Sequence, residues 1–237
     1  MTPMAARARA LAATPRCIAL FDLDLTLISY DSGMAFLRFL VDRGAFEADV
    51  PERYLDACQQ YVRGELPVAR LHAIAMAPLA RFSVAEGDAL AAAFGAQIAV
   101  TIPQAARALV AAHRERGDLC ALVTATNDVV ATPFAREFGL DQLLSSRAEI
   151  RDGRYTGAVE GELCHGAAKV ARVEQWLAEN GLAWPGLAHS VFYSDSASDL
   201  PLLERVAEAV VVRPDPRLRA EAEKRGWRIV EALADER

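Results

Sequence analysis

The chain of 237 residues has no apolar run long enough to cross a bilayer. Its first fourteen residues are rich in Ala and Arg but lack the unbroken apolar stretch of a secretion signal, because Arg7 and Arg9 interrupt it. Positive charge is not in excess. With 26 Lys and Arg against 32 Asp and Glu, the formal net charge is -6, which argues against nucleic acid or an anionic membrane as the main partner. The 4 cysteines, Cys17, Cys58, Cys120 and Cys164, show no C-x-x-C spacing, and Cys17 and Cys120 fall in apolar, strand-like runs as small core residues. These features fit a reducing compartment, so the chain is expected to be cytoplasmic, with residues 1–15 as a frayed or loosely helical tail. Internal repeats and low-complexity tracts are absent.

Hydrophobic residues at 53% and charged residues at 24% are ordinary for a soluble globule, and the length suits one domain carrying an insertion. Cys17–Phe21 is an apolar run of strand length. Residues 34–102 then change character, with helical spacing in Phe36/Leu37/Phe39/Leu40/Val41, Tyr54/Leu55/Cys58/Tyr61, Leu71/Ile74/Ala75/Pro78/Leu79 and Leu90/Ala93/Phe94/Ile98. Beyond it, Pro103 opens a helix ending near Gly117, and 119–123 reads as a buried strand ending at Thr124. A helix over 129–138, a hairpin turning at Asp152-Gly153, a helix over 166–179 and a strand over 190–193 follow. A helix over 200–206 and strands over 209–212 and 227–230 complete the chain, a charged helix lying between those strands. Alternating strands and helices predict an α/β fold: a doubly wound parallel sheet with an inserted all-helical domain. The core is expected over 16–33 and 103–237, with the helical cap at 34–102 and hinges near 29–33 and 100–103.

Ligands of an open α/β sheet bind beyond the carboxyl ends of its strands. Three predicted strands end there in Asp22/Asp24, Thr124 and Asp195. A carboxylate such as Asp22 can attack phosphorus and form an aspartyl-phosphate. Its repulsion for an anionic substrate must be cancelled, and Mg²⁺, which takes one or two carboxylates plus substrate phosphate, would use Asp22 and Asp195. Asp24 can protonate the leaving oxygen and later take a proton from water. Thr124, with the backbone N–H of Ala125, offers donors to phosphate oxygens, and Lys169 offers a positive charge. Each residue also has a plainer reading. The acids could be solvated loop residues, Thr124 a helix N-cap, Lys169 a surface lysine, and Asp199 an N-cap or a support for metal-bound water.

As an ordered set, Asp22-Leu23-Asp24-Leu25-Thr26, Thr124, Lys169 and Asp195-Ser196-Ala197-Ser198-Asp199 resembles the four motifs of the haloacid dehalogenase superfamily. The resemblance covers nearly all the chain after Arg16, and the position of the insertion is similar to that of the phosphoserine phosphatase-like branch, which includes histidinol-phosphate phosphatases. It implies a Mg²⁺-dependent phosphatase of a small phosphorylated metabolite, with Asp22 as nucleophile and Asp24 as acid and base. It also implies a metal held by Asp22, the main-chain carbonyl of Asp24 and Asp195, with Asp199 supporting the metal shell. Asp31, seven residues after Asp24, matches the acid that holds the substrate ammonium in phosphoserine phosphatases, although a turn aspartate is the plain alternative. Two features depart from those enzymes. Ala125-Thr126 stands where they have two glycines, and the carboxylate-binding arginine has no firm counterpart: Arg70 is the nearest candidate and Arg63 and Arg81 are others, all three also readable as ordinary surface charges. A retained amine contact without a carboxylate clamp points to histidinol phosphate, with phosphoserine second and a broad monoester phosphatase third. A receiver-like signalling domain would be shorter and would lack Asp24 and the insertion, and a silent phospho-ligand binder would not need every catalytic position filled.

Overall fold

The computed structural model describes residues 16–233; the predicted tail at 1–15 lies outside them. A seven-stranded sheet runs in the order β4-β3-β2-β1-β5-β6-β7. Its strands are β1 (Arg16–Phe21), β2 (Leu119–Asn127), β3 (Leu143–Arg151), β4 (Arg154–Glu160), β5 (Leu187–Ser194), β6 (Glu208–Val212) and β7 (Arg228–Val230). All neighbours pair in parallel except β3 and β4, which are antiparallel. The predicted hairpin is therefore no appendage. β3 starts alongside β2, with Leu143 opposite Leu122, and then turns at Asp152-Gly153, both at positive φ, to carry β4 as the sheet edge.

β1 is central and buried on both faces, which explains its continuous apolar sequence. Ala19 and Phe21 enter one core cluster while Ile18 and Leu20 enter the other. On the second face lie α7 (Ala167–Glu179), the short α8 (Leu200–Leu203) and α9 (Pro216–Arg225). α8 is one turn long, shorter than the predicted 200–206 helix, because the chain turns at 204–206 to enter β6. On the first face pack α5 (Gln104–Glu115) and α6 (Asp128–Glu137), the latter capped by Asn127, whose side chain accepts from Val130 N.

Between β1 and β2 lie α1 (Ser32–Asp42), α2 (Val50–Val62), α3 (Val68–Met76) and α4 (Val84–Ile98). Pro78 stops α3 short of its predicted end, and residues 77–81 form a tight 3₁₀ turn instead. Leu55, expected on the apolar face of α2, is 47% exposed. The insertion is joined to the sheet by packing. Phe94 of α4 meets Phe36 of α1 and Phe134 of α6, at centroid distances of 5.2 and 5.8 Å. By contrast, Leu37, Val50 and Tyr54 form a small separate cluster with Leu71 and Ile74.

The hairpin holds the other side of the insertion. Tyr155 N donates to Phe82 O and Val84 N to Gly153 O. Gly87 packs against the Tyr155 side chain, and a Cβ there would run into the ring. Gly87→Ala is expected to destabilise the protein by about 1–3 kcal/mol, as overpacking does, measured as a lower denaturant midpoint with unchanged slope. An unchanged midpoint would show that the ring moves aside freely. Among the described residues no helix is long and apolar enough to cross a membrane.

Candidate active site

The residues singled out at the strand ends come together around one cavity of about 210 Å³, lined by Asp22, Asp24, Asp31, Thr124, Ala125, Lys169, Asp195 and Asp199 among others. Asp22 extends the β1–β5 ladder by one bond, its N–H donating to Tyr193 O at 2.9 Å. The chain then bends sharply, with Leu25 in the left-handed region at φ 58. Arg213, from the end of β6, holds this turn by donating to the carbonyls of Leu25 and Thr26 at 2.7 and 2.8 Å. Asp195 leaves β5 alongside. Its carbonyl accepts from Asp215 N, and the Asp215 carboxylate accepts from Ala197 N at 2.6 Å.

Lys169 is buried in the first turn of α7 and bridges Asp22 Oδ1 and Asp199 Oδ2, both at 2.8 Å. It is no surface lysine. Asp199 stands at the N-cap position of α8 but makes no side-chain cap hydrogen bond there; its Oδ2 also accepts from Ser194 Oγ at 2.7 Å. Thr124 is buried and accepts from Thr126 N at 3.1 Å, while the N-cap of α6 is Asn127. The plain reading does hold for part of Asp31, which caps α1 through Met34 N at 2.7 Å. Its carboxylate is also met by Tyr54 Oη of α2, and it still lines the cavity.

Electrostatics at the strand ends are dominated by burial. Desolvation raises the pKa of Asp22 despite the Lys169 ammonium beside it, and raises that of Asp195, with Asp22 adding to the effect. Burial also lifts Asp24, to about 6, and Asp31. For Lys169, desolvation is outweighed by Asp199 and Asp22, so its pKa rises and it stays charged. The site thus gathers three buried carboxylates around one ammonium. Thr26 Oγ1 lies 3.3 Å from Asp22 Oδ2 and 3.1 Å from Asp195 Oδ1, and its single hydrogen serves one at a time.

Asp199 Oδ1 is buried with no hydrogen-bond partner among the described residues. An orphaned acceptor and surplus negative charge on hard oxygens suit Mg²⁺, for which two carboxylates and room for phosphate and water suffice. Among the described residues no group of three or more His, Cys, Asp or Glu side chains is placed to hold a metal ion by itself.

Sequence reasoning left Thr26, Thr126, Ser194 and Arg213 without roles. Thr26 stands inside the D-L-D-L-T pattern; Ser194 acts on Asp199, five residues on, while Thr126 and Arg213 act across the fold. A larger cavity, of about 790 Å³, lies at the opposite ends of the same strands, near Cys17, Asp118 and His189, and touches none of these carboxylates.

The chain matches the pattern of the haloacid dehalogenase-like hydrolases across residues 19–204. It is 36% identical over 216 residues to a histidinol-phosphatase of Neisseria meningitidis serogroup C, covering 90% of this chain and 97% of that one. It is 35% identical to the phosphoserine phosphatase SerB1 of Mycobacterium tuberculosis, covering 89% and 69%. Among solved structures, a Bordetella pertussis protein described as of unknown function superposes with a TM-score of 0.86 at 42% identity, covering 93% and 100%. A substrate-bound phosphoserine phosphatase shares the fold, with a TM-score of 0.68 at 20% identity and coverage of 93% and 94%. The chain belongs to the haloacid dehalogenase-like hydrolase family, and it is an enzyme of the phosphatase kind.

Proposed function

We propose that this enzyme hydrolyses histidinol phosphate through an aspartyl-phosphate on Asp22, with Mg²⁺ held by Asp22, Asp195 and the main-chain carbonyl of Asp24. The observation that carries the choice of substrate is the charge of the cavity wall. Asp31 presents a carboxylate to a substrate ammonium, and among the described residues no arginine lines the cavity. Arg70 is exposed, Arg63 pairs with Glu65 at 2.8 Å, and Arg81 is bound to the Ala45 carbonyl and stacked on Phe46. The two histidines that line the cavity, His72 and His165, cannot replace an arginine. Burial pushes His72 down to about 4 and lowers His165 as well, so both are neutral at pH 7. Among the described residues a substrate carboxylate would find no cationic side chain in the cavity beyond Lys169, which serves the phosphate end.

Bound Mg²⁺ would supply the charge neutralisation that lets an anion approach the carboxylates. Thr124 and the Ala125 N–H would hold phosphate oxygens, Lys169 would stabilise their growing charge, and Asp199 would orient Lys169 and the metal shell. The helical insertion, 34–102, would act as a cap over the core at 16–33 and 103–233. Because α1 and α4 share the sheet's core, the part free to open and exclude water is α2 with the start of α3. The small phosphorylated substrate and the four free cysteines suit the cytoplasm.

The test is phosphate release from histidinol phosphate, phosphoserine and p-nitrophenyl phosphate, with Mg²⁺ and with chelator. Histidinol phosphate should be turned over with the highest kcat/KM, and chelator should abolish all three activities. Preference for phosphoserine would overturn the substrate reading. Asp31→Asn keeps a good cap for α1 but removes the charge. It should raise KM for histidinol phosphate about tenfold or more, while p-nitrophenyl phosphate, which has no amine, changes little.

A further inference from the structure

We propose that Thr126 is the positioning residue for Asp24, an inference that rests on Asp24 being the acid and base of the reaction proposed above. The Asp24 carboxyl is held at both oxygens. Thr126 Oγ1 donates to Oδ2 at 2.6 Å, and Ser32 N donates to Oδ1 at 2.6 Å. The two donors belong to different parts of the molecule. Ser32 opens α1, the helix that leads from the core into the insertion, whereas Thr126 lies near the end of β2. Their hydroxyls are 3.2 Å apart, so Asp24, Thr126 and Ser32 close a small network across the junction.

Asp24 needs such a hold. It sits half-buried on the bent turn after β1, with non-helical dihedrals of its own and left-handed Leu25 next in the chain. Hydrogen bonds to a carboxylate are short and strong, and two from separate elements set its rotation as well as its place. Each carboxyl oxygen keeps a lone pair beyond those bonds, so the group can carry a proton without releasing its supports. Thr126 is fixed in turn by its own N–H, which donates to Thr124 Oγ1 at 3.1 Å.

Both chemical steps use this placement. First, an Asp22 oxygen bonds to phosphorus, the ester P–O bond breaks, and Asp24 gives its carboxyl proton to the departing oxygen, releasing an alcohol. Next, a water oxygen bonds to phosphorus, its proton passes to the Asp24 carboxylate, and the Asp22–phosphorus bond breaks. Inorganic phosphate leaves, with Asp22 ionised and Asp24 protonated as at the start. A misdirected Asp24 therefore slows ester cleavage when the leaving group is an alcohol. It matters little to that step when the leaving group is a nitrophenolate, which needs no proton.

Thr126→Val keeps the shape and removes the hydroxyl. It should lower kcat/KM for histidinol phosphate, or the best alkyl monoester, by about tenfold to a hundredfold, a share of the usual effect of general acid–base catalysis. With p-nitrophenyl phosphate kcat/KM should stay within about threefold, and the p-nitrophenol burst should persist while steady turnover falls. Thr126→Ser should restore both. Equal losses with both substrates, no loss with either, or failure of serine to rescue would overturn the proposal. If thermal melting shows Thr126→Val unfolded, Thr126→Ala carries the same comparison. Asp24→Asn runs alongside: if it fails to discriminate between the leaving groups, the reading of Asp24 itself falls, whatever Thr126 does.

Discussion

Asp22→Asn should reduce phosphate release by roughly 10⁴-fold or more, because the proposed reaction passes through a phosphoryl ester on the Asp22 carboxylate. The same variant should fold, and melt at a higher temperature than the parent when both are measured in chelator. Burial already holds the Asp22 carboxyl above its usual range, so its charge is a cost to the folded state. Removing that charge leaves Lys169 paired with Asp199 at 2.8 Å and relieves repulsion with Asp195. Reactive groups that oppose stability in this way are a known trade-off. Turnover within tenfold of the parent would remove Asp22 as nucleophile, and loss of a cooperative melt would make it a structural residue.

Lys169→Met should damage both stability and activity. The ammonium is buried between Asp22 and Asp199, and breaking a buried pair by deleting one partner costs about 3–5 kcal/mol. In a chain of this size that is a fall in melting temperature of roughly 6–20 °C. The deficit should depend on pH. Asp22 and Asp195 have pKa values raised above their unfolded values, so the folded protein binds protons more readily than the unfolded chain. Stability from such groups is present at low pH and is lost as pH rises from about 4 through their raised values. Without Lys169 those values rise further, so the variant should lag the parent most at neutral pH and recover part of the gap near pH 5. Thermal melts at both pH values in chelator measure this. An equal deficit at both would mean that lost packing, and not unpaired charge, is responsible. Activity should fall by about 10²–10³-fold through the missing charge on the phosphate oxygens.

The sheet was legible because β1, β2, β5 and β6 are short apolar runs that each end in a polar change of character, as buried parallel strands must. The strand-end residues were legible for a related reason: a carboxylate at the end of a buried strand has little structural excuse. The hairpin's fusion with the sheet was not legible. β3 and β4 are half-exposed, and their place depends on β2, some twenty residues earlier in the chain. The extent of α3 was misread since Leu79 keeps the helical spacing while Pro78 ends the helix. Helical periodicity also could not divide the insertion into α1 and α4, which share the sheet's core, and α2, which does not; Phe94 and Tyr54 look alike in sequence. Thr126, Ser194 and Arg213 serve residues 102, 5 and 188 positions away, and their types alone carry no signal. Arg70, Arg63 and Arg81 had the right charge and sit elsewhere.

The central strand sets a timetable for synthesis. β1 is made before either of its sheet neighbours, and one of its flanks is covered only by β5, about 170 residues later. Until then an apolar ribbon with one unpaired edge must wait beside the ribosome, the kind of exposed edge that invites chaperones and aggregation. Slow, non-local pairing of this sort predicts that chains truncated before Leu187 will be insoluble.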